Sequence, residues 1–270
     1  MSAAVVDEPA PSPHHARRQD PPPPAVTPAP LIRPSFYAAR PGGWRDWWTL
    51  LHPPYTAWHL SYVVIGACLA TQVSTSRLVA TLLAFFLAVG VAAHALDELH
   101  GRPLGTKISR SLLVTATVVS LSGALVLGAV GVSQVGWALF PFMVIGPLLV
   151  ASYNLEWFGG VIHTDVGFAL AWGSFPVLVA YIAQTGTLAL APLLAAAAAF
   201  FISTAQRHLS NPARLIRRRA ATIQGSISLT SGETISVDDR FVLRPLERAL
   251  RSLSWGMVFL ATGLAIARLS

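Results

Sequence analysis

The stretch "RLVATLLAFFLAVGVAAHALDELHGRPLGTKIS", residues 77–109, decides the class of this chain. Its first half is an almost unbroken apolar run, after which His94, Asp97, Glu98, His100 and Arg102 follow within a few positions. An apolar run of about 18 or more residues is long enough to cross a bilayer as a helix. Charges are costly within such a run, so a cluster of them marks either the mouth of a helix or a site inside a bundle.

The rest of the chain has the same character. Of 270 residues, 53% are hydrophobic and 11% charged, with mean hydropathy +0.56. A soluble domain carries roughly 25% charged residues, so this chain has too few to cover a water-facing surface. The reading is an all-α polytopic membrane bundle. Apolar runs bounded by turns and charges predict about seven spans, near 56–74, 78–96, 111–131, 135–152, 165–184, 187–204 and 253–268. "STSR", "GVSQ" and "QTG" read as tight turns closing three helical hairpins. The Trp-rich "GGWRDWWTLLHPPY", residues 42–55, reads as an interfacial lead-in helix. The single cysteine, Cys68, lies in the first apolar run and reads as a small buried hydrophobe.

Four segments follow. Residues 1–34 form a Pro/Ala-rich tail with no apolar period, expected to be disordered and lacking the features of a signal peptide. Its His14–His15 pair stands far from other ligands. Residues 35–219 form the bundle, 220–252 a polar insertion, and 253–270 a last transmembrane helix. In the insertion, "SISL" and "TISV" alternate around "TSGE" as a small hairpin. "PLERALRSL" reads as an amphipathic lead-in to the last span. Asp238 and Asp239 read as solvated hairpin-exit residues.

Of 19 Lys and Arg, only Arg77 and Arg268 fall on the side reached after the first span. The positive-inside rule places the N-terminus and the even-numbered loops in the cytosol, as in a plasma-membrane protein. The net charge of +7 then reflects topology and contact with anionic lipids, and no soluble basic domain for nucleic acid is visible. With this sidedness, Asp97, Glu98, Glu156 and Asp165 gather at one end of the bundle, with His59, His94, His100, His163 and His208.

Each residue has a plain reading and a chemical one. His94, Asp97 and Glu98 share a helix face; Asp97 pairs with Arg102 at the helix exit, or the acids bind a ligand. Thr164 and Asp165 stand where a helix N-cap belongs. Glu156 follows a helix C-terminus, which disfavours an anion, so a cation is expected beside it, with His163 as ligand or proton carrier. "QRHLSNPAR", residues 206–214, offers Gln206, Arg207, His208, Asn211 and Arg214 at helical spacing, and "NP" also reads as a turn. Arg102, Lys107, Arg207 and Arg214 are suited to clamp a diphosphate.

In order and spacing, "ALDELHGRPLGTKIS" resembles the segment that closes the second helix in the UbiA superfamily of intramembrane prenyltransferases. "RPGGWRDWWTLLHPPYTAWHLSYVVIGA" is similar to that family's first helix, and "ASYNLEWFGGVIHTDVGFALAWGSFPVLVAY" to its passage between helices four and five. The resemblance implies a helical bundle around a lipid-accessible cavity. It implies an enzyme that holds a prenyl diphosphate through magnesium and passes the prenyl group to a lipid or aromatic acceptor, or cyclises it. On matching positions, Asp97, Glu98, Glu156 and His163 would be catalytic, and His94, Asp97, Glu98, Glu156 and Asp165 metal ligands. Arg102, Lys107, Tyr153, Asn154, Arg207 and Arg214 would bind substrate, and Phe168 and Trp172, with Tyr153 and Trp157, would face a cation.

The sequence also departs from that family. His94 stands where the first motif begins with Asn, and "QRHLSNPAR" has no acid where the second acidic motif belongs. Imidazole suits iron, zinc or manganese better than magnesium. Two alternatives therefore stand beside prenyl transfer: a His/carboxylate transition-metal site oxidising or hydrolysing a lipid, and a non-catalytic lipid-binding protein.

Overall fold

A computed structural model describes residues 34–270, so the expectations for the preceding tail, the His14–His15 pair included, lie outside the described residues. Two short helices open the described chain, α1 (Trp44–Leu50) and α2 (Pro53–Cys68). Six longer ones follow: α3 (Thr75–Leu99), α4 (Arg110–Val135), α5 (Trp137–Asn154), α6 (Asp165–Thr185), α7 (Leu190–Arg219) and α8 (Asp239–Leu269). These six are long and apolar enough to cross a membrane, and the chain is an integral membrane protein built as an all-α bundle.

The first expected span is shorter than the sequence reading. α2 has 16 residues, about 24 Å at 1.5 Å per residue, against a hydrocarbon core of about 30 Å. It begins after His52, whose backbone is left-handed (φ 46°), at the pair Pro53–Pro54. Its length is made good by burial: Trp58, Tyr62 and Val63 are fully covered, and the helix packs against α6 and α8. Close approach is built in at Gly66, where a Cβ would collide with the Val177 backbone of α6, the usual device for packing helices in lipid. Trp58 Nε1 donates to Tyr62 Oη at 2.8 Å, which in turn lies 3.0 Å from Ser203 Oγ of α7.

The end of the chain differs too. The expected break between a 220–252 insertion and a last span at 253 is absent, because α8 runs without interruption for 31 residues from the Asp238 cap. Asp238 accepts from Phe241 N at 2.7 Å, and the helix continues through Pro245, which lies inside it. The hairpin is present: β1 (Gly225–Ser228) pairs antiparallel with β2 (Thr234–Val237), with Ser226 opposite Ser236. Likewise "NP" at 211–212 is not a turn, for α7 continues to Arg219 with Pro212 inside it.

Two helices depart from α geometry. α3 holds π turns over Phe86–Ala93 and α6 over Ala169–Ser174. A π turn widens the helix and leaves a carbonyl in need of a donor. Histidines supply it: His94 Nδ1 lies 2.9 Å from Gly90 O, and His59 Nδ1 lies 2.9 Å from Trp172 O.

Glu98 fixes the polar end. Fully buried, it accepts from Leu104 N (3.0 Å), Thr106 N (2.8 Å) and Thr106 Oγ1 (2.8 Å). Arg102 clips the same loop by donating to Thr106 O (3.2 Å) and Ile108 O (2.6 Å). Buried Asp46 of α1 accepts from Lys107 N at 3.1 Å, holding that residue by its backbone while its side chain is exposed. Replacing Glu98 by Ala strands two buried amides and a hydroxyl, at a cost of roughly 3 kcal/mol. A lowered thermal midpoint of the variant in detergent is expected, and an unchanged midpoint would contradict this role.

Candidate functional site

At the end of the bundle that carries the Glu98 loop, a cavity of about 520 Å³ opens among α2, α3, α5, α6, α7, α8 and residues 34–37. Its walls explain which polar residues matter. From α7 come Arg207, Ser210, Asn211, Arg214, Arg217 and Arg218, a stripe that recurs at three- and four-residue steps on one helix face. From α3 come His94 and Asp97, from α5 and the turn after it Tyr153, Asn154, Glu156 and His163, and from α2 His59.

Several expected site residues therefore meet: His94, Asp97, Tyr153, Asn154, Glu156, His163, Arg207 and Arg214 all line this cavity. Others do not. Glu98 is spent on the 104–106 amides, Arg102 on loop carbonyls, and Lys107 does not line the cavity. Asp165 touches the site only through its partners, accepting from Arg207 Nε at 2.9 Å and Asn211 Nδ2 at 3.2 Å. It is not the cap of α6; that is Thr164, which accepts from Gly167 N at 3.0 Å.

This bears on metal binding. Of the expected ligand set His94, Asp97, Glu98, Glu156 and Asp165, one carboxylate is saturated by three donors and another is ion-paired with arginine. Among the described residues no group of three or more His, Cys, Asp or Glu side chains stands close enough to hold a metal ion. Of the expected set, His94, Asp97 and Glu156 remain on the cavity wall. The pairing of Asp97 with Arg102 is not formed, since the guanidinium faces loop carbonyls.

What the cavity does hold is cationic. Arg217 pairs with Glu247 of α8, and Arg207 with Asp165. Arg214 donates to Asn211 Oδ1 at 2.6 Å, but among the described residues no carboxylate lies within ion-pair distance of it. A partly buried guanidinium near the mouth of an apolar bundle calls for an anion. Buried polar atoms are also left open: His52 Nε2, Tyr153 Oη and Gln206 Oε1 have no hydrogen-bond partner, and all three residues line the cavity. Such atoms are rare in folded proteins and are completed by water or ligand.

Aromatic rings brace the wall. Tyr153 stacks on His163 with centroids 4.4 Å apart and meets Trp172 edge-on at 5.7 Å. Phe168 lies 4.9 Å beneath the Arg207 guanidinium. His163 Nδ1 is 2.9 Å from Tyr153 O and 4.0 Å from Glu156 Oε1, so the cation expected beside Glu156 is this histidine when protonated. Trp157 does not line the cavity.

Beyond this wall lies a second, apolar pocket of about 160 Å³, lined by residues such as Ala84, Gly128, Met143 and Phe175. Val89 and Trp172 line both compartments.

Sequence reasoning missed His52, Tyr37, Arg217 and Arg218. The two arginines were legible as continuations of the 207–214 helical step. His52, followed by two prolines, carried no periodic signal.

No family model, no curated protein and no solved structure matches this chain.

A carbonyl oxygen can only accept, so His59, His94 and His163 must each carry a proton on Nδ1. Imidazole ¹⁵N spectra of the labelled protein are expected to show Nδ1 protonated at all three. A bare Nδ1 at any of them would contradict the arrangement.

Proposed function

We propose that this protein binds a prenyl diphosphate, with its phosphates in the arginine-lined cavity and its tail toward the apolar pocket behind Val89 and Trp172. The observation that carries this reading is Arg214, a partly buried guanidinium with no carboxylate partner among the described residues, facing a cavity with unsatisfied polar atoms. Arginine matches phosphate oxygens with parallel donors, and the α7 stripe repeats the group along one face. A compartment pair, one cationic and one apolar, suits an amphiphile with an anionic head.

In this reading the protein acts as a UbiA-like prenyltransferase, passing the prenyl group to a lipid or aromatic acceptor or cyclising it. The chain's own part in such a reaction is to hold the leaving diphosphate on Arg207, Arg214 and Arg218 and to keep water from the apolar wall. Tyr153 and Trp172 supply aromatic faces beside that wall. The polar end lies in the cytosol of a plasma membrane, as the distribution of Lys and Arg supports. Because two of the four carboxylates expected to hold metal, Glu98 and Asp165, are engaged elsewhere, a second reading is favoured by the same geometry: a holder of the prenyl lipid without turnover.

Purified full-length protein in nanodiscs, titrated with farnesyl diphosphate, tests both. Binding is expected to survive a chelator and to weaken at least about tenfold in Arg214→Gln, the loss typical of one charge-assisted hydrogen-bonding group. Release of inorganic diphosphate supports prenyl transfer, and binding without release supports the holder. Absence of binding refutes the proposal.

A further inference from the structure

His52 is the least expected wall of the cavity. It sits in the left-handed region (φ 46°, ψ 57°) at the start of α2, where its carbonyl accepts from Tyr55 N (2.9 Å) and Thr56 N (3.0 Å). A non-glycine residue there is uncommon and is kept only where its surroundings hold it. Those surroundings are extensive. Its ring stacks on His94 with centroids 4.4 Å apart and planes 12° from parallel. Its Nδ1 is hydrogen-bonded to Tyr37 Oη. Tyr37 is in turn held edge-on against Phe36 (5.1 Å) and Tyr55 (5.6 Å), and Phe36 lies 4.9 Å from the Arg251 guanidinium of α8. The one position left open is Nε2, buried and without a partner, on a residue that is itself 8% exposed and lines the cavity with Arg214 and Arg218.

We infer that His52 binds the ligand's phosphate directly, its Nε2–H donating to a phosphate oxygen that Arg214 and Arg218 also grip. The inference rests on the phosphate reading above. In this arrangement Tyr37 Oη donates to Nδ1 and the ring's own proton stands on Nε2. Burial pushes the Tyr37 hydroxyl pKa up, keeping it a donor. Burial, with the nearby charges of His94, Arg218 and Arg214, lowers the His52 pKa well below its ordinary value. The ring therefore brings a directed donor without adding a further cation to the arginine cluster. The Tyr37 bond and the His94 stack act as the outer support that fixes a donor's tautomer and direction, as second-layer partners do for histidines elsewhere. The head group's chemistry is shared by a prenyl diphosphate and by free inorganic diphosphate, and the test uses both.

The experiment measures binding of farnesyl diphosphate and of inorganic diphosphate to the full chain in nanodiscs, for wild type, His52→Asn, Tyr37→Phe and Arg214→Gln. Asn is chosen because it tolerates the left-handed backbone. Loss of a donor to a charged phosphate is expected to weaken binding about 10- to 100-fold in His52→Asn, for both probes if the contact is to phosphate. Tyr37→Phe leaves the ring but frees its tautomer, and a loss of a few-fold is expected. In ¹⁵N-imidazole spectra the wild-type His52 is expected to show Nε2–H, moving downfield on adding inorganic diphosphate, with Tyr37→Phe showing mixed tautomers. If His52→Asn does not fold, Tyr37→Phe and the spectra decide. Binding unchanged in His52→Asn but lost in Arg214→Gln overturns the role of His52 and leaves the phosphate reading standing. Wild type that binds neither probe overturns both. An Nε2–H signal that does not shift when inorganic diphosphate binds to the wild type overturns the donor role.

Discussion

An arginine carried into the polar mouth of an apolar bundle has to find negative charge or water, and the arrangement around α7 follows from that constraint. Arg207 and Arg217 meet it within the protein, through Asp165 and Glu247. Arg214 does not; it donates instead to the neutral side-chain oxygen of Asn211. A helix that presents five arginines to one cavity, with that cavity's remaining acids exposed or partly exposed, leaves positive charge to be matched from outside. The phosphate reading is the chemical form of that surplus.

Hydrogen-bond accounting governs the rest of the site. The π turns in α3 and α6 allow small-residue and aromatic walls to line the cavity, and each creates a carbonyl that a histidine must serve. Glu98 performs the matching task for donors, closing the amides of the 104–106 loop. These residues look alike in sequence whether they bind a metal or satisfy the backbone. In an interior with no free water, the backbone has first claim on them.

This explains where the sequence was legible. Apolar runs fixed the bundle and the ends of α3, α4, α5 and α6 closely, because in lipid the run length and the helix length are the same quantity. The hairpin was visible in its alternation. The length of α2 was not, because its apolar run continues into Leu69–Ala70, beyond the helix end, and only packing against α6 and α8 shows where it stops. α7 and α8 were under-read because the expected spans stop at 204 and start at 253, where the apolar runs meet charged sequence, while the helices continue through Pro212 and Pro245 to Arg219 and back to Asp239. Within the site, the gathering of His94, Asp97, Glu156, His163 and the arginines at one end was readable from sidedness. The diversion of Glu98 and Asp165 to other partners was not, because both depend on contacts between segments far apart in sequence, as does the Tyr37–His52 bond.

The most direct measurement is an experimental structure of the full chain in a lipid nanodisc with a non-hydrolysable farnesyl thiolodiphosphate. The account predicts density for the two phosphates between the α7 arginine stripe and the start of α2, with the hydrocarbon running toward the pocket bounded by Val89 and Trp172. Density for the head group elsewhere, or an Arg214 side chain turned to lipid headgroups with the cavity filled by protein, would contradict it.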